Sequence, residues 1–381
     1  MFSIEVTPQI EHFLNASVPV AIGISGGKDS SAMALALAKY LQEKGHKGPR
    51  ILIHSDLGRV EWRQSLPMCQ ALAERLDMEL VIVHRRAGDL MDRWHVRWDN
   101  NVARYVNLEC VKVILPWSTP TMRFCTSELK TAVICRYLVE RFPGQTILSS
   151  VGLRREESAT RAKAPICAPQ AKLKSTTYQT EGYNWHPILG WSREDVFSYH
   201  RLYDFPLHEA YTRYRSTRVS CAFCILASHG DLLAASTCPE NQDIYREQVA
   251  LEILSSFSFQ GNTWLGDVAP QVLSEEMREG LELAKQRAKR REAIEARIPK
   301  HLLFTKGWPH MLPTMDEARL LSEVRQEVAE VMNFIIRYTS PEAILDRYTQ
   351  LLLAQPRRNE ITPHVEPIQQ ELWTGDHCFI A

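Results

Sequence analysis

The amino-acid sequence predicts an α/β protein built on a doubly wound parallel sheet, with a helical extension at its C-terminal side. Over the first 150 residues, short apolar segments alternate with segments rich in helix formers, which is typical of parallel strands joined by right-handed crossovers. After about Asn241 the pattern becomes charged and helical. We therefore predict a sheet-based domain over residues 1–240 and a mostly helical extension over residues 241–381.

Four apolar runs are the predicted strands, and each is followed by a polar or glycine residue. They cover residues 20–24, 50–56, 80–84 and 146–151, with helices predicted at 30–45 and from about 61 to 76. Ahead of them, residues 1–17 are expected to be a short helical or irregular lead-in that packs through a few apolar side chains. Residues 86–125, which are rich in tryptophan and arginine, are expected to form an insertion or lid with some helix.

Charge and composition exclude several broad classes of protein. The chain has 381 residues with 45 basic and 45 acidic side chains, so no overall basic field indicates nucleic acid, although a local basic groove remains compatible with it. The N-terminus lacks a charged segment followed by an apolar one, and no apolar run approaches the ~20 residues of a membrane helix. We expect a cytoplasmic protein with no membrane partner, in which nine cysteines serve as thiols or metal ligands.

A glycine-rich turn between the first strand and the first helix is the most informative segment. Its glycines let the backbone approach an anion, its serines and lysine add donors, and the helix N-terminus adds partial positive charge. This combination predicts a phosphate-binding loop at the carboxyl end of the strand, where parallel sheets bind their ligands. The loop residues are Ser25, Gly26, Gly27, Lys28, Asp29 and Ser30, and Asp56 ends the second strand at the same edge.

A second motif follows the fourth strand, from Gly152 to Arg161. Two arginines flank an acidic and hydroxyl pair, and a planar guanidinium binds phosphate or sulfate oxygens in pairs. Arg154 and Arg161 are therefore predicted anion ligands. The alternative is a solvated helix start with charge pairs four residues apart.

Cysteines form the third signal. Cys125 lies in one segment, Cys221 and Cys224 form a C-x-x-C turn, and Cys238 precedes a proline. Thiolates two residues apart can hold one metal or cluster, so these four are predicted as ligands of a [4Fe–4S] cluster, with Zn²⁺ as the main alternative. Ordinary buried thiols are a further alternative.

These motifs resemble a known family. The segment Ser25–Ser30 resembles the PP-loop of the ATP pyrophosphatase superfamily. Gly152–Arg161, Asp56 with Glu61, and the C-x-x-C turn resemble its phosphoadenosine phosphosulfate (PAPS) reductase branch, over about residues 18–238. The resemblance implies an adenine-nucleotide α-hydrolase-like (Rossmann-like) sheet and an enzyme that binds ATP with Mg²⁺ and releases pyrophosphate.

The resemblance also implies roles for single residues. Catalytic roles fall to Lys28, Asp29, Arg154 and Arg161. ATP would be held by Ser25, Gly26, Gly27, Lys28, Asp29, Ser30, Asp56 and Gly152. Lys130 would be a substrate-facing cation, and Glu157 with Ser158 would shape the floor of the pocket.

Three functions compete at this point. A PAPS or adenylylsulfate reductase of sulfate assimilation needs a Glu-Cys-Gly-x-His setting near the C-terminus, which Cys378 lacks. The favoured reading is an ATP pyrophosphatase that adenylates a substrate for sulfur insertion, most like the component of bacterial DNA phosphorothioation systems, with a tRNA-thiolating enzyme as a variant. A nucleotide-sensing scaffold is the third reading, against which the intact loop counts.

The favoured reading implies partners as well. A cysteine desulfurase or another protein would donate the sulfur, and a homodimer is compatible with the sequence. DNA would meet a local basic surface, for which the run from Lys285 to Arg297 is the candidate, with a solvated helix face as the alternative.

Overall fold

A single mixed sheet organises the protein, whose computed structural model describes residues 2–355. The strands follow the order β3-β2-β1-β4-β6-β5, and all neighbours are parallel except β5 and β6. The strands are β1 Val20–Ile24, β2 Arg50–Asp56, β3 Leu80–His84, β4 Thr146–Val151, β5 Cys167–Pro169 and β6 Glu181–Trp185. Because β1 lies between β2 and β4, the carboxyl end of β1 is at the centre of the sheet edge.

Fourteen helices surround or follow the sheet within the described residues. They are α1 Pro8–Asn15, α2 Lys28–Glu43, α3 Ser65–Leu76, α4 Leu90–Val106, α5 Phe124–Thr126, α6 Val133–Arg141, α7 Ala159–Ala162, α8 Arg193–Leu202, α9 Glu209–Thr212, α10 His229–Ser236, α11 Gln242–Ser255, α12 Glu275–Glu295, α13 Met315–Met332 and α14 Pro341–Ala354. A π-helical turn, Ser127–Ala132, joins α5 to α6.

Helices cover both faces of the sheet, as a doubly wound fold requires. On one face, apolar side chains of α1, α2, α3 and α8 pack with alternate residues of β1 and with Trp185. On the other face, α6 packs on the residues of β1, β2 and β4 that point the opposite way. The apolar runs seen in the sequence are thus strands buried on both sides, which confirms the predicted fold class.

The chain divides into two compact units. The first contains residues 1–102 and 114–290 and includes the whole sheet. The second contains residues 103–113 and the chain from Arg291 onward, so the predicted boundary after residue 240 falls inside the first unit. Within the second unit, the fully buried Arg325 donates hydrogen bonds to the carbonyls of Tyr105 and Arg337, both at 2.9 Å.

The predicted elements and the observed ones agree closely where the sequence is apolar. The four predicted strands have the bounds of β1, β2, β3 and β4, and α1 occupies the lead-in. The sequence did not indicate β5 and β6, because both are short and half polar. The helices after residue 241 are present as expected. Among the described residues, none of the helices is both long enough and apolar enough to cross a membrane.

Candidate functional site

The PP-loop, Ser25–Ser30, joins β1 to α2 at the carboxyl edge of the sheet. Gly26 has a φ of +70°, and a Cβ there would lie 2.6 Å from the carbonyl oxygen of Ser65, so only glycine fits. The Ser30 hydroxyl donates to the carbonyl of Gly27 at 3.0 Å and accepts from the backbone N–H of Ser25 at 3.2 Å. These bonds fix the loop at the N-terminus of α2, as its composition predicted.

A buried chain of charges lies directly behind the loop. Lys28 Nζ is 2.9 Å from Asp29 Oδ2, and Asp29 Oδ1 accepts from Arg154 Nε at 2.7 Å. The side chains of Lys28 and Arg154 are each only 5% exposed. Burial lowers the pKa of Arg154, but Asp29 and Glu156 outweigh it, and the net pKa is raised. Asp29 therefore holds two cations beside the loop.

The Gly152–Arg161 motif reaches the loop through its first half. A Cβ on Gly152 would lie 3.0 Å from the carbonyl oxygen of Asp29, which explains the glycine at this close approach. Arg161 instead pairs with Glu157 one turn away, and the Ser158 hydroxyl accepts from the N–H of Arg161 at 3.2 Å. Arg154 thus belongs to the loop, whereas Arg161, Glu157 and Ser158 form a separate, half-exposed group.

Tyr211 covers the loop and was not among the residues predicted from the sequence. Its hydroxyl accepts hydrogen bonds from the backbone N–H groups of Lys28 at 3.3 Å and Val219 at 3.2 Å. Lys28 Nζ lies 5.2 Å from the centre of the Tyr211 ring, and burial raises the pKa of this phenol. The first N–H of α2, a natural phosphate ligand, is therefore occupied by a side chain. Only the spacing of Tyr211 after α8 could have indicated it.

Asp56 and Glu61 shape the turn after β2. Asp56 Oδ1 accepts from the N–H of Gly58 at 2.7 Å, so this carboxylate closes the turn. Glu61 lies 3.2 Å from Nε2 of His54, whose Nδ1 is 3.1 Å from the carbonyl oxygen of Ile24. Burial lowers the pKa of His54, yet Cys69 and Glu61 raise it to about 10. The charged imidazole links the end of β1 to this turn.

Three of the four predicted cysteines converge next to that turn. The N–H of Ala222 donates to the carbonyl of Val60 at 2.8 Å, which brings the C-x-x-C segment beside Glu61. Burial raises the pKa of Cys221, Lys130 opposes the shift, and Cys224, Glu61 and Cys125 add to it. These electrostatic effects place Cys125, Cys221, Cys224 and Lys130 together.

Cys238 has different neighbours. It is 1% exposed, its thiol donates to Glu240 Oε2 at 3.1 Å, and burial is the main cause of its raised pKa. Across residues 2–355, no three His, Cys, Asp or Glu side chains are arranged to hold a metal ion. The side chains therefore do not fit the four-thiolate cluster or zinc site as predicted. That centre stays a prediction, which iron, sulfide and zinc analysis of the purified protein tests.

The C-x-x-C turn is held from behind by a buried acid, which the sequence gave no reason to single out. Gln260 Nε2 donates to the carbonyls of Cys224 and Ala227, both at 3.0 Å. The loop that carries Gln260 is fixed by Glu252 of α11, which accepts from the N–H groups of Phe259 at 2.7 Å, Leu265 at 2.8 Å and Gly266 at 3.0 Å. Burial raises the pKa of Glu252 to about 7.

The basic run from Lys285 to Arg297 is a weaker DNA candidate than its sequence suggested. Lys285 pairs with Asp267 and Glu282 at 2.6 Å each, and Arg297 pairs with Glu323 and Glu327. These carboxylates neutralise both ends of the run. Exposed cations remain at Arg287, Lys289 and Arg290.

Comparisons with solved structures find distant likenesses. An FMN adenylyltransferase of Candida glabrata with FMN and an ATP analogue has 15% identity and a TM-score of 0.36, over 55% of this chain and only 56% of that one. A PAPS reductase of Candida auris has 14% identity and a TM-score of 0.36, over 57% of this chain and 89% of that one. The U34-tRNA thiolase NcsA of Methanococcus maripaludis, with its [4Fe-4S] cluster, has 17% identity and a TM-score of 0.35, over 62% and 73%.

The family comparison is more direct. A comparison with curated protein sequences finds no match. The family described as the phosphoadenosine phosphosulfate reductase domain matches residues 19–227, more than half of the chain. That range contains the PP-loop, Arg154 and the C-x-x-C turn. The protein belongs to the phosphoadenosine phosphosulfate reductase domain family.

Proposed function

We propose that this protein is an ATP pyrophosphatase that cleaves ATP between its α- and β-phosphates and adenylates a substrate for sulfur incorporation. The proposed acceptor is a backbone phosphate oxygen of DNA, in a bacterial modification or defence system. A separate protein, such as a cysteine desulfurase, supplies the sulfur.

The observation that carries the proposal is the buried chain Lys28–Asp29–Arg154 behind the PP-loop. The carboxylate of Asp29 uses one oxygen for each cation, so both side chains are held in place before a nucleotide binds. Prearranged cations and backbone N–H groups lower a barrier most where charge develops, which here is on the departing pyrophosphate. Lys28 would stabilise that charge, and Arg154 would hold an anionic oxygen of the nucleotide or acceptor.

The thiols beside Glu61 support a sulfur-transfer reaction. Adenylation of an oxygen makes AMP the leaving group, and a sulfur nucleophile can then displace it. Cys125, Cys221 and Cys224 lie together next to Lys130, whose charge favours the thiolate form that reacts as a nucleophile. We assign the sulfur-handling step to this group of thiols and the activation step to the PP-loop.

The decisive experiment resolves the products of ATP incubated with the purified protein. The proposal predicts AMP and pyrophosphate, and ADP with phosphate would contradict it. Incubation of PAPS with thioredoxin separates the reductase alternative, because only a reductase yields sulfite. Sulfite release together with an absence of AMP from ATP would replace the proposed function by that alternative.

A further inference from the structure

Positive charge is concentrated around the site of a protein whose net charge is zero. Three segments, residues 119–130, 152–164 and 211–224, contain nine lysines and arginines but only three acidic residues. Their cations are Arg123, Lys130, Arg154, Arg155, Arg161, Lys163, Arg213, Arg215 and Arg218. Such an excess within a balanced chain produces a local positive field.

Each of the three segments is attached to the carboxyl edge of the sheet. The Ser55 hydroxyl at the end of β2 donates to the carbonyl of Leu129 at 2.6 Å. Residues 152–164 leave the end of β4 directly. Residues 211–224 are tied to the PP-loop through Tyr211 and to the turn after β2 through Ala222. The segments therefore surround the proposed reaction site.

Five of the nine cations already have partners. Arg154, Arg155, Arg161 and Arg213 pair with carboxylates, and Arg218 donates to the carbonyl of Leu226. The other four, Arg123, Lys130, Lys163 and Arg215, make no ion pair with any carboxylate of residues 2–355. Unpaired cations beside a phosphate-binding loop are available to an anionic ligand.

Arg215 shows that this surface is built rather than accidental. Its φ is +60°, a left-handed conformation that costs a non-glycine residue free energy. The buried Asp231 maintains it by accepting from the N–H of Thr217 at 2.6 Å and the hydroxyl of Ser216 at 3.0 Å. The adjacent backbone is thus fixed, while the side chain of Arg215 is exposed.

We propose that Arg123, Lys130, Lys163 and Arg215 bind the sugar–phosphate backbone of a nucleic acid and present one of its phosphates to the PP-loop. This inference rests on the proposed function and names the surface that holds the acceptor. Four cations from three separate segments suit successive phosphates of a polymer, since a single small anion would need them to converge on one point. It also moves the nucleic-acid contact from α12 to the edge of the sheet.

Fluorescence anisotropy with a labelled DNA duplex tests the surface, with a tRNA transcript as the second probe and salt varied from about 50 to 200 mM. The triple variant Arg123→Ala, Lys163→Ala, Arg215→Ala should bind on the order of 100-fold more weakly in 100 mM salt. Its salt dependence should lose about 0.9 in slope per contact on the duplex. The matched control, Arg287→Ala, Lys289→Ala, Arg290→Ala, removes the same charge from α12 and should bind within about twofold of the unchanged protein.

Equal binding by the triple variant, or an equal loss in the control, overturns the surface, provided that thermal unfolding shows both variants folded. Preference for the tRNA keeps the surface but contradicts DNA as the acceptor. The ATP product assay on the unchanged protein separates the two proposals. AMP release with normal nucleic-acid binding by the triple variant refutes the surface alone, whereas ADP release refutes the proposed function alone.

Discussion

The PP-loop and the cysteine group are neighbouring parts of one site, yet they are assembled in opposite ways. The PP-loop consists of six consecutive residues whose hydrogen bonds are mostly with one another. The cysteine group combines Cys125 with a turn almost a hundred residues later, and it depends on the backbone bond between Ala222 and Val60. A local motif needs only its own residues, whereas a group of distant residues needs supports that lie outside it.

The supports differ in kind as well. Behind the PP-loop, Asp29 neutralises two cations, so the local charge is balanced. Behind the C-x-x-C turn, Glu252 is a buried acid held by backbone N–H groups alone among its hydrogen bonds, and its pKa is raised to about 7. The loop side should therefore respond to loss of a charge, and the cysteine side to pH and to loss of hydrogen bonds.

The largest expected effect is on the loop side. Lys28→Ala removes the cation next to the departing pyrophosphate, and AMP production should fall by about 100- to 1,000-fold, the usual cost of losing one prearranged electrostatic group. Resolved ATP products measure the rate. Lys39→Ala, on the exposed face of the same helix, is the control and should change the rate by less than about twofold. Similar losses in both variants would contradict the role of Lys28.

The pH dependence of stability tests the cysteine side. The folded protein binds a proton at Glu252 more tightly than the unfolded chain, with a pKa of about 7 against the ordinary 4.5, so stability contributed here falls as pH rises between those values. The difference corresponds to about 3 kcal/mol. The nearby Asp267 adds to the shift, and the nearby phenol of Tyr245 stays neutral in this range because its own pKa is raised.

Urea unfolding at pH 5 and pH 8 measures this effect. Glu252→Gln should lose the decline, whereas the exposed Glu279→Gln should retain it. A variant at position 252 with the same decline as the unchanged protein would show that another group causes it.

A smaller effect is expected at Gln260, which positions the C-x-x-C turn without contacting substrate. Gln260→Met keeps the size of the side chain but loses both hydrogen bonds, so the turn should open more often and alkylation of Cys224 should accelerate by about tenfold. Peptide mass spectrometry after iodoacetamide treatment distinguishes Cys224 from Cys221. Gln42→Met on α2 serves as the control. An unchanged rate at Cys224 would exclude the positioning role.

The smallest effect concerns Tyr211. Its hydroxyl occupies the N–H of Lys28, and a typical net hydrogen bond contributes about 1 kcal/mol. Tyr211→Phe should therefore tighten binding of a non-hydrolysable ATP analogue by about fivefold, as measured by titration calorimetry. The exposed Tyr178→Phe should bind as the unchanged protein does. Weaker binding by Tyr211→Phe would instead make this hydroxyl a ligand of the nucleotide.

Sequence patterns predicted this site unevenly. The PP-loop and Arg154 were found because glycine spacing and an arginine after a strand have direct geometric meaning. Asp56 was placed at the right edge, but its carboxylate closes a turn. Cys238 was grouped with the other cysteines on the basis of its proline neighbour, and its contacts with Glu240 depend on packing that no spacing rule describes. Cys378 lies outside the described residues.

The sequence by itself determined the α/β fold, the strand bounds, the phosphate-binding loop and the membership of the thiol-bearing turn, because each depends on periodicity or on the conformational freedom of a few adjacent residues. Only the tertiary structure decided that Arg154 joins Lys28 through Asp29, that Tyr211 covers the loop, and that Glu252 and Gln260 support the cysteines. These contacts join residues far apart in the chain, and burial of the intervening segments, rather than any local pattern, brings them together.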